Sequence, residues 1–450
     1  MIPSIADIVR QFKREWTTCL EPEAIQRICE EAGLRWRERL LTPVITIQLM
    51  LVQILHGNTA ISHLPHLARF RFAASSFCKA RMRISLAVFE RLLASITNCL
   101  HGADLDKGRW RGHRVFLSDG TGISMPDVPE LIDYFGFCTR QREGCRYPVL
   151  KLYPLVHLGT GMILKSLICP FRSHEARQVI NLHPELQKDD VLVADRAYCS
   201  FYHFCLLIQR GCHAVFRMHH RVAVDFTPGR AYVVPGGTPS RKGMVRSRQI
   251  KLLGKKDQIV EWFRPRSKLT SMTLEEHKAL PESITVREIE YRVQQKGFRS
   301  KKIIIVTTLI DSERYPAREL AKLYGLRWEI ETNFNHLKTT MKMDILKSKT
   351  VDGIKKELLC YFIVYNLVRL VMLQAAKQQR VKPTRISFID ALRWLASASP
   401  DEKLFTLRLV PVRPGRYEPR TKKRREKPYP YMILPRQELR KKKLSQCVAA

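Results

Sequence analysis

Two four-residue apolar runs constrain the fold of this chain more than any other feature: V-F-L-S, which stops at Asp119, and V-L-V-A, which stops at Asp195. Runs this short and apolar read as buried strands. The residues after them, Gly120-Thr121 and R-A-Y-C-S-F-Y-H, read as a turn and then a helix start. Side chains at the carboxyl ends of neighbouring strands can converge on one crevice, so the two aspartates are candidates for a shared site. Singly, each has a plainer explanation: Asp119-Gly120 is a turn signal, and Asp195 suits a helix N-cap.

A third carboxylate stands in the stretch Y-G-L-R-W-E-I-E-T-N-F-N-H-L-K, which starts at Tyr324. On a helix of about 100° per residue with Tyr324 at zero, Arg327, Glu331 and Lys338 fall at roughly 300°, 340° and 320°. The four polar residues then share one stripe beside an apolar one made of Leu323, Leu326, Ile330, Phe334 and Leu337. The plain reading is an amphipathic helix with i,i+4 pairs such as Arg327–Glu331. The sharper one is a phosphoryl-transfer site: Glu331 ligates Mg²⁺ while Arg327, Lys338 and Tyr324 bind the flanking phosphates. With Asp119 and Asp195 the order is D, D, E, as two-metal phosphodiester chemistry requires.

These residues carry a resemblance. The spacing Y-x2-R-x3-E-x6-K, with S-D-G-T at Asp119 and V-A-D-R-A at Asp195, resembles the bacterial DDE transposases of the insertion-sequence family called IS-four. It runs from about Arg35 to Arg436. The resemblance implies cut-and-paste transposition through a hairpin on the transposon end. Asp119, Asp195 and Glu331 are then the catalytic, metal-binding residues, holding two Mg²⁺ ions with Mn²⁺ as a substitute. Tyr324, Arg327 and Lys338 are DNA-binding. It also implies a homodimer in a synaptic complex with double-stranded transposon ends and target DNA. The alternatives are a non-catalytic DNA-binding protein derived from a transposase, and a nuclease without strand transfer.

Composition points the same way. A net charge of +36 marks a polyanion as partner. A membrane surface would require an exposed amphipathic or lipidated segment, and none is found. The apolar run at 358–368 is too short to span a bilayer, is cut off by Arg369, and reads as a core helix. The 12 cysteines contain no C-x2-C pair, and His213, His219 and His220 near Cys212 read as core and loop rather than a metal site. A reduced, cytoplasmic, nucleoid-associated bacterial protein is expected. No Walker-type phosphate loop occurs.

The expected fold is α/β: a ribonuclease H-like core, a mixed sheet flanked by helices, interrupted by a β-rich insertion and preceded by a helical domain. Residues 1–107 read as helical, with Ser75 or Ser76 capping a basic helix that bears Lys79, Arg81 and Arg83, a pattern that fits a helix-turn-helix reader, and the resemblance implies that this region binds the transposon ends. An ordinary bundle with a solvated basic face is the alternative. The core takes residues 108–220, with a hairpin around Gly159-Thr160-Gly161, and 312–400. The β-rich insertion takes 221–311 and carries Trp262, flanked by Arg264 and Arg266. A strand Trp is usually core, but one among cations can stack an unpaired base, and the resemblance implies that role. Residues 401–450 form a basic tail expected to lie extended, either solubilising the chain or contacting DNA.

Overall fold

The computed structural model describes residues 20–448 except 69, 99–107, 139–140, 142–143, 145, 174, 234–244, 271, 294–300, 398–403, 413–433 and 435. Its strands are β1 (Val115–Ser118), β2 (Thr121–Ser124), β3 (Val149–His157), β4 (Ile163–Pro170), β5 (Val191–Ala194), β6 (His213–Arg217), β7 (Ser247–Gly254), β8 (Asp257–Phe263), β9 (Ser283–Val293) and β10 (Lys301–Thr307). They form one mixed sheet in the order β2-β3-β1-β5-β6-β10-β9-β8-β7, with β4 paired to β3. The fully buried β1 and β5 lie side by side and parallel at its centre, as their continuous apolar character requires.

The β3–β4 hairpin turns through Gly161, whose φ of +71° favours glycine. The interval between Asp195 and Glu331 does not form a separate sheet. Its last strand, β10, pairs antiparallel with β6, and β9, β8 and β7 follow outward. The sequence reading missed β7, an edge strand with an irregular, mostly exposed pattern. It also missed β2, which occupies what looked like the turn after Asp119.

The N-terminal region contains α1 (Pro22–Glu31), α2 (Pro43–Leu55), α3 (Leu64–Ala68), α4 (Ala74–Arg83) and α5 (Leu86–Thr97). Ala73, not Ser75 or Ser76, precedes α4 as its N-cap. Helices α2 and α5 pack on the helix Val351–Gln378, and one apolar core runs through both regions. Among the described residues, Val351–Gln378 is the one helix long and apolar enough to cross a membrane, but 89% of its apolar window is buried inside the protein. It is clamped to the sheet by Asn366, whose amide accepts from Ile163 N and donates to Ile163 O, both at 2.9 Å. The expectation of an extended tail is corrected at Arg436–Val448, which forms a helix. Residues 413–433, the most basic part of the tail, lie outside the described residues.

Candidate active site

Strand register sets the level of the site. Ser118 of β1 lies opposite Ala194 of β5, so Asp119 and Asp195 leave the sheet together. Phe216 of β6 lies opposite Ala194 on the other side, which carries Arg217 to the same crevice. Arg217 Nη1 stands 4.0 Å from Asp195 Oδ1. Sequence reasoning passed over Arg217, although the rule that found the aspartates, the residue ending a buried parallel strand, applies to it equally.

The segment carrying Glu331 is not the regular helix expected. It runs as α-helix over Ala317–Gly325, tightens to a 3₁₀ turn over Leu326–Trp328, returns to α over Glu329–Asn335 and widens to a π turn over His336–Thr340. The tight turn contains Arg327 and the wide one Lys338; pitch changes of this kind recur where side chains must be aimed at a site. Leu323, Ile330 and Leu337 are buried as the apolar stripe predicts, but Leu326 falls within the tight turn and is exposed. Arg369, buried in the long helix, donates to Tyr365 Oη at 2.9 Å and to Asn333 Oδ1, which fixes the Glu331 segment against the core.

All four residues of the signature reach the crevice. Tyr324 donates its hydroxyl to Asp195 Oδ1 at 3.1 Å. Arg327 Nη1 donates to Asp119 Oδ2 at 2.8 Å, and its Nη2 stands 3.9 Å from Glu331 Oε1. Lys338 Nζ donates to Thr121 Oγ1 of β2 at 2.8 Å rather than to a carboxylate. Burial lowers the Lys338 pKa, with Asp344 opposing.

A fourth carboxylate was not anticipated. Glu175, in the short helix Glu175–Gln178, lies near enough to Asp119 and buried Tyr198 for its charge to act on both, and Tyr198 meets Ser118 Oγ at 3.2 Å. No spacing signal marked Glu175. Its approach explains Gly120: a Cβ there would lie 2.7 Å from the Tyr153 ring and 3.1 Å from Glu175 Oε1.

Burial first, and then the charges of neighbouring carboxylates, push Asp119, Glu331 and Glu175 above the usual carboxylate range. Arg327 works against this at Asp119 and Glu331, and Lys151 at Glu175. Among the described residues, no three His, Cys, Asp or Glu side chains stand close enough together to hold a metal ion. Here the expected convergence is incomplete, because the Arg327 guanidinium bridges Asp119 and Glu331. The donor set nevertheless fits a hard divalent cation, since it consists of mutually repelling carboxylate oxygens.

The remaining expected residues lie elsewhere. Lys79 and Arg83 are exposed and one helical turn apart on α4, whereas Arg81 lines a cleft against the long helix and its carbonyl accepts from buried Lys356. The three therefore do not form one reading face. Trp262 is corrected towards core: its indole N–H donates to buried Glu288 at 3.0 Å and its ring packs edge-on against Phe204 at 5.4 Å. Trp262→Phe should therefore cost about 1–3 kcal/mol by leaving a buried carboxyl oxygen without its donor. Chemical denaturation measures this, and an unchanged midpoint would return Trp262 to the surface. The aromatic the sequence reading neglected is Trp328, 62% exposed beside the Arg327 guanidinium.

Residues 110–367 match the family described as "Transposase DDE domain", a span that includes Asp119, Asp195 and Glu331. The chain is 25% identical over 445 residues to the transposase InsG for insertion sequence element IS4 of Escherichia coli (strain K12), covering 93% of each chain. It is 26% identical over 172 residues to the putative transposase InsZ of the same organism, covering 38% of this chain and 58% of that one. A solved piggyBac transposase synaptic complex with hairpin DNA overlaps 85% of this chain and 79% of that one at 10% identity, with a TM-score of 0.39. With more than half of its length inside that family and a relative of this kind along nearly all of it, the chain belongs to the DDE transposases of the IS-four type and is a DNA transposase.

Proposed function

We propose that this transposase works by cut-and-paste, on a ribonuclease H-like core, with Asp119, Asp195 and Glu331 as its catalytic carboxylates. The observation that carries the reading is the meeting of Tyr324 with Asp195 and of Arg327 with Asp119, each across more than 100 residues of sequence, while Arg327 also faces Glu331 one helical turn away. The three carboxylates would hold two Mg²⁺ ions, with Mn²⁺ as a substitute, which when bound activate the attacking oxygen and stabilise the leaving one.

The chain's own residues account for the rest. Arg327 and Arg217 neutralise the crevice for a phosphodiester, and Lys338 and Tyr324 hold its flanking phosphates. Water adds to the phosphorus at the element's end and the 3′ oxygen leaves, giving a 3′-OH and a 5′ phosphate. That 3′-OH attacks a phosphodiester of the opposite strand, whose 3′ oxygen leaves with the flanking DNA, and the new phosphodiester closes a hairpin on the element's end. Once the hairpin has been reopened by water, the 3′-OH attacks a target strand. Each step exchanges or hydrolyses one phosphodiester, so no nucleotide is consumed. A base displaced from the distorted end would find its stacking surface on exposed Trp328. The active form would be a homodimer joining two ends in the bacterial cytoplasm.

The test is a supercoiled plasmid carrying the element's own ends, incubated with the protein, Mg²⁺ and a target plasmid. Excised element with hairpin ends, followed by insertions into the target, is the expected result. Cut ends that never join a target would make the protein a nuclease. Retarded but uncut DNA would make it a binding protein only.

A further inference from the structure

Outside the crevice, a compact group of arginines lies between α1 and α2. Residues 34–39 form neither helix nor strand; Leu34 and Trp36 are partly buried, whereas Arg35, Arg37, Glu38 and Arg39 are exposed. The three arginines occupy every second position, so the chain can place neighbouring ones at most about 7 Å apart along the backbone. Leu34 and Trp36 pack against the apolar core and anchor the row. The Trp36 indole N–H donates to Glu38 at 3.1 Å. Opposite stands Arg83, at the end of α4. The cleft between them, about 480 Å³, is lined by the four arginines and by no acidic residue. Pro43 and Thr46, from the first turn of the 13-residue α2, complete its wall.

We propose that Arg35, Arg37 and Arg39, with Arg83 across the cleft, form a track for the phosphates of one strand of duplex DNA. The proposal rests on the DNA-transposase reading and assigns the N-terminal region a contact separate from the catalytic crevice. Phosphates on each strand recur every about 3.4 Å of duplex axis, so guanidiniums spaced as these are reach different phosphates of one strand. Each presents a planar fork suited to phosphate oxygens. The row carries no Asn or Gln to read base edges, so its contribution is to affinity and register, not sequence.

The experiment measures the affinity of the full chain for a random-sequence duplex across a salt series. Replacing all three residues (Arg35→Ala, Arg37→Ala, Arg39→Ala) should make the slope of log K against log salt shallower by roughly 2–3 units, at about 0.9 for each phosphate no longer neutralised. The matching triple replacement by Lys keeps the charges and should retain most of the parent slope. Both variants should unfold at the parent's temperature, because the three side chains are exposed. A parent slope in the alanine variant would overturn the proposal, as would equal loss in both variants, which would make the row a packing element. A parent that shows no salt dependence at all would instead overturn DNA binding by the whole chain, and the track with it.

Discussion

Asp119→Asn and Asp195→Asn are each expected to abolish strand cleavage in Mg²⁺ while leaving duplex binding in place. Asparagine keeps the shape of the side chain but only one of its two acceptor oxygens: Gly120 N donates to Oδ1 and Arg327 Nη1 to Oδ2 of Asp119, each at 2.8 Å, and an amide can accept only one of the two. What it removes is the negative charge that a divalent cation requires. The loss should therefore exceed the 10–100-fold typical of an outer-shell partner of a metal. A pH series offers a second check. Because burial and neighbouring carboxylates raise Asp119 and Glu331, both take up protons at a higher pH than ordinary carboxylates do. Protons and Mg²⁺ then compete for the same oxygens, so the Mg²⁺ concentration needed for cleavage should rise as pH falls. Either asparagine variant cutting at the parent's rate would remove that aspartate from the chemistry.

Arg327→Ala should have the next largest effect, lowering the cleavage rate by about 10²–10³-fold, the loss typical of one donor aimed at a developing charge. Arg327→Lys should recover little, since a single ammonium cannot reach both Asp119 and Glu331 as the two ends of the guanidinium do. The alanine variant also has a signature unrelated to turnover. Without the guanidinium, Asp119, Asp195, Glu331 and Glu175 face one another with less compensation. Melting of the metal-free variant should come earlier than that of the parent, and added Mg²⁺ should raise its midpoint more than it raises the parent's. Equal melting of the Arg327→Ala variant with and without Mg²⁺ would mean that these carboxylates do not gather an ion.

The centre of this architecture was legible because its residues obey local rules. A buried run of three or four apolar residues and an aspartate specify a buried strand with a polar end, and two such strands in parallel register level their ends without further information. The helix stripe was legible for the same reason, since Tyr324, Arg327, Glu331 and Lys338 repeat at helical spacing. What escaped depended on tertiary contacts. The 3₁₀ and π turns flank the stretch that Arg369 holds through Asn333, a contact that no local spacing encodes. Glu175 comes to the aspartates through Tyr198 and the β4 connection, and Arg327 spans two carboxylates only once the sheet has formed. Trp262 misled because flanking arginines look alike in a nucleic-acid surface and at a strand end. Its partner Glu288, on the next strand, decides between the two.

Because β10 is hydrogen-bonded to β6, and β6 to the strand that ends at Asp195, everything from β10 out to β7 shares one continuous ladder with the reacting centre. Among the described residues each strand on this path is hydrogen-bonded to the next, with register shifts only between β7 and β8. Tension exerted by bent DNA on the outer strands would be borne as shear across rows of amide bonds acting together. The crevice and the outer strands then move as a single plate, and deformation is left to the nucleic acid.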